Sequence, residues 1–363
     1  METKDRSGSS REKASLLQIP LPELFSWPAV LGYLTRSSDE ALYRVDGSEV
    51  TKLFEREGEL ALVRFRYREG AHALEAAFLP IGPAASVRAP AGPAFAAREA
   101  SAPSPAPSPA EPDEPAARPD SGLLADGSAA ALGASPPSAA MLAHVRRYAE
   151  EWFDLDRDLA PFYRLTDADP LLREVGQTLR GLRMVGIPDL FEAACWGIIG
   201  QQINLPFAYA LKKRFTETFG SSVQHEGETY WSFPKPEAVA ALEPPDIAAL
   251  QMTTRKSEYL IGVAGRVADG TLDKRELEAA DWAEAEKRLT AIRGIGPWTA
   301  HYVMMRCLRM AEALPAADVG LQHAIRIAAG MDRKPTAAEV REQARAWAGW
   351  EAYATFYLWR TLY

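Results

Sequence analysis

The chain has 363 residues, 47% of them hydrophobic, which is enough for two or three domains with a substantial core; its net charge is −8. That charge excludes a general nucleic-acid coat, though not a local contact surface made of backbone amides and a few Lys/Arg side chains. Its two cysteines, Cys195 and Cys307, exclude a disulfide framework and fit a reducing compartment.

The N-terminal METKDRSGSSREKAS is charged and polar, so residues 1–15 are expected to form a disordered tail, neither signal peptide nor anchor. No apolar run approaches the length of a membrane span. Leu21 to Thr35 places Trp27, Leu31 and Leu34 at helical spacing and predicts one short helix. Strand signals follow at Ala41–Val45, Glu49–Phe54, Glu59–Tyr67 and Ala71–Leu79, with turns at Asp46-Gly47 and Glu69-Gly70. In LALVRFRYR, Val63, Phe65 and Tyr67 alternate with Arg64, Arg66 and Arg68. Residues 16–83 are therefore expected to be a small antiparallel sheet domain whose arginine stripe is a solvated face.

From 84 to 140 the composition turns to Ala, Pro, Ser and Gly, as in APSPAPSPAEPDEPAARPD. Such a run buries too little apolar surface to offset its ordering entropy, and a mobile tether is expected. From 141 to 363 the pattern is helical. Helices are expected at His144–Phe153, Pro170–Gly181 and Asp189–Phe219, with shorter ones between Pro234 and Leu277, where Arg255 and Lys256 sit on a solvated face or near a ligand. The 189–219 stretch is broken by Gln201-Gln202-Ile203-Asn204, polar groups that must be hydrogen-bonded or face an opening. Either Asn204 caps a helix before Pro206, or the loop faces a ligand.

The most specific string is LTAIRGIGPWTA. Leu289 and Ile292 end one helix, Gly294 falls where a C-cap is expected, and Pro297 fits the first turn of the next. The bare backbone of this turn lies beside a helix N-terminus, a place able to hold a phosphate. About two dozen residues after the glycines comes LPAADVGL, in which Asp318 is a natural helix N-cap. Further helices are expected at Asp318–Gly330, Asp332–Ala346 and Trp347–Tyr363.

LTAIRGIGPWTA followed by LPAADVGL resembles the helix-hairpin-helix DNA glycosylase superfamily, in its alkylation-repair branch, the DNA-3-methyladenine glycosylase II type. The resemblance covers 146–363 well and 16–83 loosely. It implies an α+β fold: a mostly helical glycosylase core of two lobes, with the hairpin at 284–310, and a small N-terminal antiparallel α/β sheet. It implies an enzyme of base excision repair that flips an alkylated base out of duplex DNA and hydrolyses its N-glycosidic bond.

The resemblance also assigns roles. Asp318 would be the catalytic carboxylate, an anion that stabilises positive charge developing on the sugar and orients water. Trp298, Tyr302 and Trp359 would line the base pocket, where electron-rich rings suit a cationic alkylated purine. Gln201, Gln202, Gly294, Gly296 and Thr299 would contact DNA; WGIIGQQIN matches the segment that presses into the base stack, but Gln202 stands where a bulky apolar residue is common. Carbonyls of Thr290, Ile292 and Ile295 would hold a structural monovalent cation; no cofactor is otherwise required. Relatives with a lyase step carry a lysine where this chain has Trp298, so a monofunctional enzyme is expected. The expected partner is double-stranded DNA with alkylated bases, met in the cytoplasm by a monomer, with no membrane involved. Two alternatives stay open from the residues alone: Asp318 as a cap only, and a non-catalytic DNA-binding protein that uses the hairpin as a clamp.

Overall fold

In a computed structural model of the chain, the described residues are 16–81 and 136–362. The expected tail at 1–15 lies outside them, as does the expected linker except for residues 136–140. The first part contains β1 (Leu16–Pro20), α1 (Trp27–Leu34), β2 (Tyr43–Asp46), β3 (Glu49–Arg56), β4 (Glu59–Arg68) and β5 (Ala73–Leu79). These strands form one antiparallel sheet in the order β1-β5-β4-β3-β2. β1 is an addition to the sequence reading. It is an edge strand in which only Ile19 is buried, so LLQIP carries no alternation to read. α1 begins later than expected, because the Ser26 hydroxyl caps it by accepting the Ala29 N–H and Pro28 fills its first turn.

Along β4, Val63 and Phe65 are buried, while each arginine of the stripe meets a carboxylate: Arg64 with Glu49 and Glu226, Arg66 with Glu49, Arg68 with Glu75. That face is neutralised by its own neighbours. The other face is covered by α2 (Ala139–Trp152), which starts earlier than expected because Ser138 caps it. Trp152 packs edge-on or tilted against Phe65 and Tyr43, and Trp27 against Phe153. Sheet and helices thus share one continuous core.

The remaining helices are α3 (Ala160–Ala168), α4 (Arg173–Thr178), α5 (Leu190–Ile199), α6 (Leu205–Phe219), α7 (Pro236–Ala240), α8 (Pro244–Ala248), α9 (Thr254–Ala268), α10 (Lys274–Ala279), α11 (Trp282–Thr290), α12 (Pro297–Arg306), α13 (Val319–Ala328), α14 (Ala337–Ala344) and α15 (Glu351–Arg360). The predicted 189–219 helix is two helices, broken at the polar loop; the Asn204 side chain accepts the Phe207 N–H at 2.9 Å and caps the second. All of α5 is buried, as its apolar sequence requires, and it packs between α9 and α12. A two-stranded ribbon, β6 (Ser222–His225) with β7 (Glu228–Trp231), lies between α6 and α7, where the sequence predicts no element. Among the described residues no helix is long and apolar enough to cross a membrane.

Candidate active site

The hairpin is built from α11 and α12. Asp281 caps α11 through the Glu284 N–H, and Leu289 and Ile292 anchor its end in the core. The helix stops at Thr290 with Ala291 as its C-cap, so Gly294 is not the cap expected from sequence. Gly294 instead turns the chain at φ +98°, and a Cβ there would come within 2.3 Å of the Tyr259 ring. Gly296 is extended, φ −88° and ψ 175°, and lies open at the start of α12 with Pro297 after it. The first N–H groups of α12 therefore face outward from a bare backbone.

Asp318 caps α13, its Oδ1 accepting the Leu321 N–H at 2.6 Å. The same oxygen accepts the Trp359 Nε1–H at 2.8 Å, and Oδ2 accepts the Trp298 Nε1–H, also at 2.8 Å. Capping is thus one of three tasks of this half-buried carboxylate. Gly320 keeps the arrangement open: a Cβ there would stand 2.9 Å from Asp318 Oδ1 and 3.5 Å from Trp359 Nε1. Trp298 stacks on Tyr302 with ring centroids 5.8 Å apart, and Tyr302 is tilted against Trp359 at 6.3 Å. The Tyr302 hydroxyl accepts from Arg306 Nη1 at 3.0 Å.

These residues border a cleft of about 1310 Å³, which is also bordered by Gln201, Gln202, Gly294, Gly296 and Thr299 and by the hairpin residues Thr290, Ile292 and Ile295. One opening thus joins an anchored carboxylate, three aromatic rings and an exposed helix N-terminus. It is large enough for a nucleobase and sugar, and its walls can hold a flat ring beside a negative charge.

Residues 195–349 match the profile described as HhH-GPD superfamily base excision DNA repair protein. The chain is 41% identical over 352 residues to a DNA-3-methyladenine glycosylase of Bacillus subtilis, covering 97% of this chain and 99% of that one. The chain belongs to the HhH-GPD superfamily of base excision DNA repair proteins. It is also 31% identical over 190 residues to DNA-3-methyladenine glycosylase 2 of Escherichia coli, covering 52% of this chain and 64% of that one. The fold is similar to that of a 3-methyladenine DNA glycosylase from Archaeoglobus fulgidus, with TM-score 0.70 at 20% identity over 94% of this chain and 97% of that one.

Within this HhH-GPD chain, the two glutamines separate. Gln201 donates from Nε2 to the Gly294 carbonyl at 2.9 Å and to Thr299 Oγ1 at 3.0 Å, so it ties the loop to the hairpin. Gln202 is exposed at the cleft and held in the left-handed region at φ +59°. Thr299 is 1% exposed and its hydroxyl accepts from Gln201, so its side chain is engaged within the protein and not offered to DNA. The Ile292 carbonyl already accepts the Ile295 N–H at 3.0 Å, which leaves one lone pair for a cation.

Two positioning residues were not singled out for their tasks from sequence. Lys256, placed on a solvated face or near a ligand, instead reaches inward and donates to the carbonyls of Ile199 at 2.7 Å and Gln201 at 2.9 Å. Burial lowers its pKa. His301 joins α12 to the segment leading to Asp318, with Nδ1 2.5 Å from the Leu314 carbonyl and Nε2 2.9 Å from Glu286. Its i+3 spacing from Trp298 was the available signal.

Proposed function

We propose that this protein is a monofunctional DNA glycosylase that hydrolyses the N-glycosidic bond of alkylated bases such as 3-methyladenine in duplex DNA, the first step of base excision repair. The observation that carries the reading is the Asp318 carboxylate, gripped at both oxygens by Trp298 and Trp359 at the edge of an aromatic cleft beside the hairpin. The identity to a DNA-3-methyladenine glycosylase over nearly the whole chain supports the substrate class.

The chemistry follows from that geometry. The hairpin amides from Gly296 onward take a backbone phosphate, which fixes the register of the duplex. The damaged nucleotide is turned out of the stack and its base enters between the rings of Trp298, Tyr302 and Trp359, while Gln202 at the rim occupies the vacated space. As the glycosidic bond lengthens, positive charge collects on the sugar, and the fixed carboxylate of Asp318 stabilises it. The carboxylate then orients the attacking water and accepts its proton. Alkylation has already made the base a good leaving group, so no strong acid is needed. Trp298 stands where a lyase would need an amine nucleophile, and the product is an intact strand with an abasic site.

The carbonyls of Thr290, Ile292 and Ile295 would hold a monovalent cation, which would add positive charge to the phosphate-binding face of the hairpin; no other cofactor is called for. The protein works as a monomer, in the cytoplasm where DNA is reached. The reading as a DNA clamp without catalysis is disfavoured by the indole grip on Asp318, which a clamp does not need. The test is to incubate the protein with methylated duplex and identify freed bases by mass. Methylated purines with no strand nicking are expected; nicking without added base defeats the monofunctional reading, and no freed base defeats the enzyme.

A further inference from the structure

The two indoles fix the Asp318 carboxylate, but they do not fix the backbone that carries it. That backbone ends a short irregular segment, residues 314–317, which leads into α13. Its turns hang from two carbonyls: Leu314 accepts the Ala316 N–H at 2.8 Å, and Pro315 accepts the Asp318 N–H at 2.8 Å. Both bonds are internal to the segment and set its shape, not its place. Gln322 Nε2 donates to the Ala316 carbonyl at 3.2 Å, but Gln322 belongs to α13 and moves with Asp318.

His301 ties the segment to the hairpin. It lies on α12, three positions after Trp298, so the two side chains leave the helix on one side. Its Nδ1 stands 2.5 Å from the Leu314 carbonyl, and its Nε2 stands 2.9 Å from a carboxylate oxygen of Glu286 on α11. A carbonyl can only accept, so Nδ1 is the nitrogen that donates to Leu314. Trp282, also on α11, meets the imidazole edge-on with ring centroids 5.9 Å apart, and the His301 side chain is largely buried. The ring is thus carried by one hairpin helix, braced by the other and bonded to the backbone that ends at Asp318.

The hairpin is where a phosphate is taken, and Asp318 is where the sugar reacts. We propose that His301 is a positioning residue that makes the hairpin and Asp318 one rigid unit, so that the register set by the phosphate also sets the sugar against the carboxylate. Trp298 joins α12 to the carboxylate itself, and His301 joins the same helix to the main chain four residues earlier. Attachment at both points removes the rotation that either one alone would allow. A displacement of about 1 Å between reacting groups costs up to about a hundredfold in rate, so losing the second point slows the chemistry while the hairpin still binds DNA. This rests on the reading of Asp318 as the catalytic carboxylate.

The test separates the two bonds of the ring. The amide nitrogen of asparagine stands where Nδ1 does, and that of glutamine stands where Nε2 does. His301→Asn therefore keeps the Leu314 bond, His301→Gln keeps only the Glu286 bond, and His301→Ala keeps neither. Single-turnover release of 3-methyladenine from methylated duplex is measured for each, scaled to the fraction of protein that binds an abasic-analogue duplex. The Kd for that duplex is read on the same preparation. His301→Ala and His301→Gln are expected to release base about tenfold more slowly or worse, and His301→Asn within about threefold of the wild-type chain, all with Kd held within about twofold. A wild-type rate in His301→Ala overturns the proposal, and so does recovery by His301→Gln in place of His301→Asn. A Kd that weakens in step with the rate overturns it too, since the ring would then serve binding and not the placing of Asp318. Should His301→Ala fail to fold, equal rates in His301→Asn and His301→Gln overturn it equally. No base released by the wild-type chain is a different result: it removes the glycosylase reading itself and this proposal with it.

Discussion

The indole of Trp359 donates to Oδ1 of Asp318 at 2.8 Å across 41 positions of sequence, tying the last helix to the cap of α13. With Trp298 on the other oxygen, the carboxylate has no freedom to turn away from a bound sugar. Rings that wall a pocket therefore also aim the group that works within it.

Trp359→Phe keeps an aromatic ring in place but removes the indole N–H donor together with part of the ring area. A hydrogen bond to a charged group contributes about 1.5–3 kcal/mol, so the single-turnover rate of base release should fall roughly ten- to hundredfold if the bond serves the transition state. Substrate binding should change little. An unchanged rate would show that the Trp298 indole and the Leu321 amide hold Asp318 unaided.

The two hairpin glycines should behave differently. Gly294→Ala forces a side chain into the left-handed region and against Tyr259, and a loss of about 1–3 kcal/mol in urea melts is expected. Gly296→Asp meets no neighbour and tolerates its extended backbone, but sets a negative charge where a phosphate should sit. Affinity for a duplex with an abasic analogue should fall more than stability does. Equal affinity for that duplex would remove the hairpin from DNA binding.

Lys256→Met leaves the Ile199 and Gln201 carbonyls without the ammonium that joins them. About 1–2 kcal/mol of stability should be lost, and abasic-duplex affinity should weaken because the loop carrying Gln202 loosens. Unchanged affinity alongside lost stability would confine Lys256 to a role in folding.

One pH effect lies far from the cleft. Arg333 first, then the Thr336 amide and hydroxyl, hold the Glu339 carboxyl down to about 2. A depressed native value means that this stabilisation is complete above the unfolded value of 4.5 and is lost as pH falls towards 2. Melting temperatures measured over that window should therefore fall more steeply for the wild-type chain than for Glu339→Gln. Parallel slopes would contradict the assignment.

Much of this was legible because local chemistry and tertiary structure agree. Asn204 before Pro206, Pro297 after Gly296 and Asp318 before VGL are capping signals that need no distant partner, and each stands at a helix start. β1 and the β6–β7 ribbon were not legible: their strands span only four or five residues and show little buried periodicity. Long-range polar bonds were likewise hidden. Nothing in TTRKSEY says that the Lys256 ammonium turns inward. The rings of Trp298 and Trp359 pointed to a pocket, but their N–H groups gave no sign of meeting one carboxylate.

The most direct measurement is base release from methylated duplex by Asp318→Asn, with duplex binding measured on the same preparation. Asparagine preserves the shape and the helix cap but not the negative charge. Binding should persist while release of 3-methyladenine falls by roughly a thousandfold or more, the scale of losing a main electrostatic contribution. Release at the wild-type rate would contradict the account.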